Sequence, residues 1–179
     1  MLEKDKKTMK KQQLIINKLL KKPENKFCSD CKTNPPSWAS INLGVFICMD
    51  CSGCHRELGT HISKIKSINL DSWNLETLEY FKKIDNKIAN DYWEYNLQNF
   101  DFSSLVKDRD NLMDFIRDKY EYKKWVKDND IDPMTKIIQE SGNVNNNQNN
   151  VYNQIDNNGK EVNQNNFGNF NWDYFNQNK

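Results

Sequence analysis

Four cysteines constrain this chain more than any other feature. Cys28 and Cys31 form one C-x2-C pair, Cys48 and Cys51 a second, and sixteen residues separate the pairs. Each pair can fold into a tight knuckle that places two thiolates on one metal ion, and a connection of this length lets the second pair complete a tetrahedron. The spacing therefore predicts one bound Zn2+ held by Cys28, Cys31, Cys48 and Cys51. With four thiolates and no open position for water, such an ion is structural rather than catalytic. A fifth cysteine, Cys54, stands three residues beyond the last ligand and reads as a small buried hydrophobe. His55 and His61 read as polar packing or surface residues, because the thiolates already fill the shell.

The 179 residues suffice for one ordinary domain plus a tail. Net charge is +1, but it is unevenly spread. Residues 1–26 carry nine Lys against three acids, 27–75 balance at four and four, and 76–140 carry eleven bases against fifteen acids. A nucleic-acid-binding domain would carry a basic surface beyond its first stretch, so none is expected. No apolar run is long enough for a bilayer span, and neither a signal-peptide core nor a lipidation motif is seen. An odd cysteine count with four residues in metal register points to a reducing compartment, with the cytosol as the expected location.

Taken in order, residues 9–22 put Met9, Ile16, Leu19 and Leu20 on one helical face, ended by Pro23. That stripe packs on the metal module, or else the Lys-rich helix lies on an anionic membrane surface. Trp38–Ile41 and Val45–Ile47 flank Asn42-Leu43-Gly44, a three-residue hairpin connection, and the second strand delivers Cys48 into its knuckle. A helix then runs to Leu58 and stops at Gly59, with Arg56 on or near it. Ile62, Ile65 and Ile68 give a third short strand. Helical spacing follows in Leu75, Leu78 and Phe81, then in Ile88, Ala89, Tyr92 and Trp93. A further helical pair holds Leu112, Phe115 and Ile116, then Tyr120, Lys124 and Trp125. Asp132-Pro133 marks the expected end of regular structure. Asn and Gln dominate from Ser141 onward, which predicts disorder.

Several of these stretches together resemble the Arf GTPase-activating protein (ArfGAP) domain family. They are Phe27-Cys28-Ser29-Asp30-Cys31, Pro36-Ser37-Trp38-Ala39-Ser40, Asn42-Leu43-Gly44-Val45, Cys48 through Arg56, Leu58-Gly59 and His61-Ile62-Ser63. Lys66-Ser67, Leu70-Asp71-x-Trp73, Ala89-Asn90-x-x-Trp93-Glu94 and Phe115-Ile116-Arg117-x-Lys119-Tyr120 extend the likeness over residues 12–126. The resemblance implies an α+β fold: a small four-cysteine zinc-finger domain whose short antiparallel sheet is surrounded by helices. It divides the chain into a basic extension (1–11), that domain (12–126), a linker (127–140) and an Asn-rich disordered tail (141–179).

The activity implied is acceleration of GTP hydrolysis on a GTP-bound Arf-family small GTPase in vesicle traffic, in the cytoplasm and peripheral to Golgi or endosomal membranes. No stand-alone catalysis is expected. The family's finger arginine falls on Arg56, the first Arg of the chain and the only one before residue 109. Chemistry supports that position. Phosphoryl transfer spreads negative charge over the γ-phosphoryl oxygens, and a permanently charged planar guanidinium inserted from a partner neutralises it. Trp38 matches the family's tryptophan, a platform for that arginine and for the GTPase, or a core aromatic. Asp71 either orients the site or caps the turn before Trp73.

Two positions depart from the family pattern: Cys54 replaces an aliphatic residue, and Asp85 a glycine. Trp172-Asp-Tyr-Phe175 in the tail looks like a W-x-x-F motif read by clathrin adaptors. Two other functions share the cysteine pattern, a non-catalytic Arf-binding coat-adaptor scaffold and a GATA-like DNA-binding finger. The second needs a basic recognition helix, whereas Ser52, Gly53, Cys54 and Glu57 accompany the one Arg here.

Overall fold

The computed structural model describes residues 3–141. The tail motif Trp172–Phe175 lies outside them. Met1–Glu140 form one compact unit. Its centre is a three-stranded antiparallel sheet of order β2-β1-β3, from β1 (Trp38–Ser40), β2 (Val45–Ile47) and β3 (Ile65–Ser67). Helices surround it: α1 (Glu3–Leu20), α2 (Met49–Leu58), α3 (Leu75–Lys83), α4 (Asn86–Trp93), α5 (Arg109–Tyr120) and α6 (residues 133–141).

The β1–β2 hairpin pairs Trp38 with Ile47 and Ser40 with Val45. Its connection turns at Gly44, whose φ of +71° suits a residue without Cβ; a Cβ there would stand 2.6 Å from Ile84 Cδ1 and 3.0 Å from Met134 Cε. β3 is shorter than the isoleucine spacing suggests. The Asn42 amide donates to the Ile62 carbonyl and accepts from Lys64 N–H, so a side chain takes backbone groups that a longer ladder would use. Asp71 caps the turn after β3 by accepting from Ser67 N–H at 2.6 Å, and the Trp73 indole donates to the Ser67 carbonyl.

Phe81 meets Phe46 and Trp73 edge-on in the core, with centroid distances of 5.0 Å and 5.2 Å. Helix starts follow side-chain caps: Asn74 accepts from Thr77 N–H, Asp85 from Ile88 N–H and Asp108 from Asp110 N–H. Asp85, the departure from the family pattern, thus earns its place as the N-cap of α4.

Several expectations need correction. Met9, Leu75 and Ile88 are exposed, so the buried stripes of α1, α3 and α4 are narrower than their apolar spacing suggests. Ile16 and Leu19, Leu78 and Phe81, and Ala89 and Trp93 carry the burial instead. Residues 109–125 hold one helix rather than two: α5 ends at Tyr120, and Lys123 takes a φ of +52° that no helix continues. The segment 127–140 is not a linker throughout. Asp132 caps α6 by accepting from Thr135 N–H, Pro133 opens it, and Met134 and Ile137 are buried in the same core.

Candidate metal centre and arginine platform

The four cysteines are all buried, and their sulfur atoms lie within 4.8 Å of one another. Both knuckles are local turns. Lys32 N–H donates to the Cys28 carbonyl, with Lys32 in a left-handed conformation, and Cys48 is the N-cap of α2 with Cys51 in its first turn. Tetrahedral Zn–S bonds of about 2.3 Å require sulfur–sulfur edges of about 3.8 Å. Cys31 Sγ and Cys48 Sγ are 3.8 Å apart. Asp30 N–H donates to Cys28 Sγ at 3.4 Å and Thr33 Oγ1–H to Cys31 Sγ at 3.2 Å, so polar hydrogens already face sulfurs that would carry negative charge. Burial pushes the Cys28 thiol well up from its ordinary pKa, while its hydrogen bonds to Cys31 and Cys48 pull theirs down. Thiolates packed this closely repel one another, and a divalent cation at their centre removes that conflict. The donor set fits such an ion.

Cys54 is fully buried outside this cluster, and burial lifts its thiol to about 11. His61 is exposed, and Gly59 at φ +89° leaves room for its ring.

Arg56 occupies the last turn of α2, the helix whose first turn holds Cys48 and Cys51. Its carbonyl accepts from Gly59 N–H, which closes the helix there. The guanidinium is exposed and lies over the half-buried Trp38 indole of β1, with Cζ 4.5 Å from the ring centroid. Among the described residues no carboxylate pairs with it. Its neighbour Glu57 pairs instead with Arg109 from α5. One cation is thus presented to solvent on an aromatic shelf, from a helix rooted in the four-cysteine cluster.

Sequence reasoning missed the group behind this face. Asp30, between the first two cysteines, is fully buried and accepts from Lys119 Nζ at 2.9 Å and Tyr120 O–H at 2.7 Å, both on α5. Its other oxygen meets His55 Nε2 at 3.0 Å, and His55 Nδ1 meets Ser63 Oγ at 2.7 Å. Lys119 is itself fully buried and also donates to Glu94, Asn90 and the Ser29 carbonyl. Burial disfavours both charges, but opposite partners outweigh it. Lys119 and His55 hold Asp30 well below the usual carboxylate range; Tyr120, Asp30 and Glu94 hold Lys119 well above its ordinary value. One signal was visible: Lys119 falls on the apolar stripe of α5, three residues after Ile116 and four after Phe115. A lone charge on a core face demands a buried partner.

A family model described as a putative GTPase-activating protein for Arf matches residues 13–129. A probable ADP-ribosylation factor GTPase-activating protein of Arabidopsis thaliana is 45% identical over 126 residues, covering 70% of this chain and 51% of that protein. The human stromal membrane-associated protein 1 is 45% identical over 131 residues, covering 72% of this chain and 27% of that one. The chain thus spans about half the length, or less, of these curated relatives. Among solved structures, the ArfGap domain of human RIP aligns with a TM-score of 0.54 at 27% identity, over 64% of this chain and 85% of that one. The ArfGap domain of HIV-1 Rev binding protein aligns with a TM-score of 0.62 at 23% identity, over 76% and 98%, and shares the fold.

Proposed function

The chain belongs to the Arf GTPase-activating protein family, and from that premise we propose that it accelerates GTP hydrolysis on an Arf-type GTPase by supplying Arg56 in trans. The observation that carries this reading is the exposed Arg56 guanidinium, seated on Trp38 and free of any described carboxylate. A zinc ion held by Cys28, Cys31, Cys48 and Cys51 would supply no chemistry to the reaction; it would fix the first turn of α2. From there the helix carries Arg56 out to solvent, and Trp38 limits where its side chain can lie. The guanidinium then offers its planar fork of donors to the γ-phosphoryl oxygens as charge develops on them. Trp38 is proposed to contact the GTPase beside the nucleotide. Vesicle traffic at Golgi or endosomal membranes is the proposed setting, with the Trp172–Phe175 motif as a proposed adaptor ligand.

Single-turnover hydrolysis on GTP-loaded Arf, with and without the protein, tests the reading. Acceleration supports it. Binding of loaded Arf with no acceleration would make the chain a docking module of the scaffold kind and remove the catalytic claim.

A further inference from the structure

The outward face of α1 holds a feature the proposed activity does not use. Ile16 and Leu19 are buried with Gln12 on one side of the helix. At 100° per residue, the opposite side gathers Lys7, Lys10, Lys11 and Lys18 within about a third of the circumference, and Lys21 follows in the turn that ends the helix. All five are exposed, and none pairs with a described carboxylate. Leu14 lies in the middle of this arc and is 58% exposed. No acid occurs from residue 7 to residue 22.

The same helix is tied to the turn after β3. Gln13 Nε2 donates to Asn69 Oδ1 at 3.3 Å and Ser72 Oγ to Gln12 Oε1 at 3.5 Å. That turn projects Leu70, at 81% exposure.

We infer that this face of α1 is a docking surface for an anionic phospholipid bilayer. Among the described residues these five ammonium groups have no counter-charge, and such a row calls for an anionic partner. From Lys7 to Lys18 alone the row extends about 17 Å at 1.5 Å per residue. A row that long matches a continuous field of headgroups better than one phosphate. The leucine decides between bilayer and nucleic acid: an aliphatic side chain among lysines gains nothing against a sugar-phosphate backbone, but enters the headgroup–acyl boundary while the lysine stems carry their charges to the phosphates. The inference does not depend on the proposed GTPase-activating role, and its readout needs no GTPase.

The test is co-sedimentation of the full-length, metal-loaded protein with vesicles of phosphatidylcholine alone or mixed with phosphatidylserine. Binding to the mixed vesicles only, abolished by high salt, is expected. The double variant Lys11→Gln/Lys18→Gln should partition about 25- to 30-fold more weakly, at roughly fivefold per lysine. Leu14→Ser should weaken binding without changing its salt dependence. Lys107→Gln/Lys127→Gln, two exposed lysines elsewhere, should bind as the unaltered protein does. No binding to the mixed vesicles, equal binding to both vesicle types, equal partitioning of the α1 double variant, or displacement from vesicles by duplex DNA would each overturn the inference.

Discussion

Among single residues, Arg56 and Lys119 mark opposite uses of positive charge. Arg56 is exposed, so its replacement should cost function and not structure. Arg56→Lys keeps a charge but loses the planar fork, and it should lower stimulated GTP hydrolysis on the order of 10³-fold. Bound metal and melting temperature should stay as they are; single-turnover kinetics beside metal analysis checks both. Lys119 is the reverse case. Lys119→Met would leave Asp30 buried without its main counter-charge, and loss of one partner from a buried ion pair costs about 3–5 kcal/mol. Urea unfolding should show that loss as a lower midpoint. The two residues also differ in how well the sequence reveals them. Arg56 stands out by its fixed offset from the paired cysteines and by the family pattern. Lys119 is legible only as a charge on an apolar stripe, and its partner Asp30 lies 89 residues away, beyond any local pattern.

At the level of elements, the best-marked ones in the sequence were those with a strong local cause. The hairpin needs its glycine, α2 begins at a cysteine of the cluster and ends at a glycine, and α1 stops at Leu20, shortly before Pro23. The errors arose where tertiary contacts set the limit. β3 is cut short by the Asn42 side chain, and α5 ends at Tyr120, whose hydroxyl is bonded to Asp30. Helix α6 was missed because nine residues of mixed polarity carry little periodicity, and the two buried apolar positions acquire meaning only against the core. Met134, fully buried beside Gly44, makes α6 part of the structure. Met134→Ala should therefore cost about 2–5 kcal/mol, as large-to-small core changes do. Gly44→Ala should destabilise as well, since its Cβ would meet Ile84 and Met134 at a positive φ. Thermal melting of both variants checks the pair, and a melting point for Met134→Ala equal to that of the unaltered chain would return residues 127–140 to the role of a linker.

For the molecule as a whole, the buried polar group behind Arg56 joins what the sequence presents as separate motifs. Ser29 and Asp30 come from the first knuckle, His55 from α2, Asn90 and Glu94 from α4, and Lys119 and Tyr120 from α5. The helices that follow the sheet therefore brace the metal module from behind. Removing the metal should not merely loosen a loop. Chelation should lower the melting temperature and the α-helical circular dichroism together, in one transition, because repulsion among the thiolates reaches Asp30 and through it α4 and α5. Metal loss with the helices intact and the melting point unchanged would show that the two parts are energetically separate. The wide separation of these partners also bears on how the chain matures. During synthesis from the N-terminus every candidate ligand has emerged by Cys51, but the ammonium that neutralises Asp30 arrives only with Lys119. A nascent chain that captured an ion at these thiols would do so long before it could seal the carboxylate beside them, and for that interval such an ion would hold a half-finished domain open to solvent.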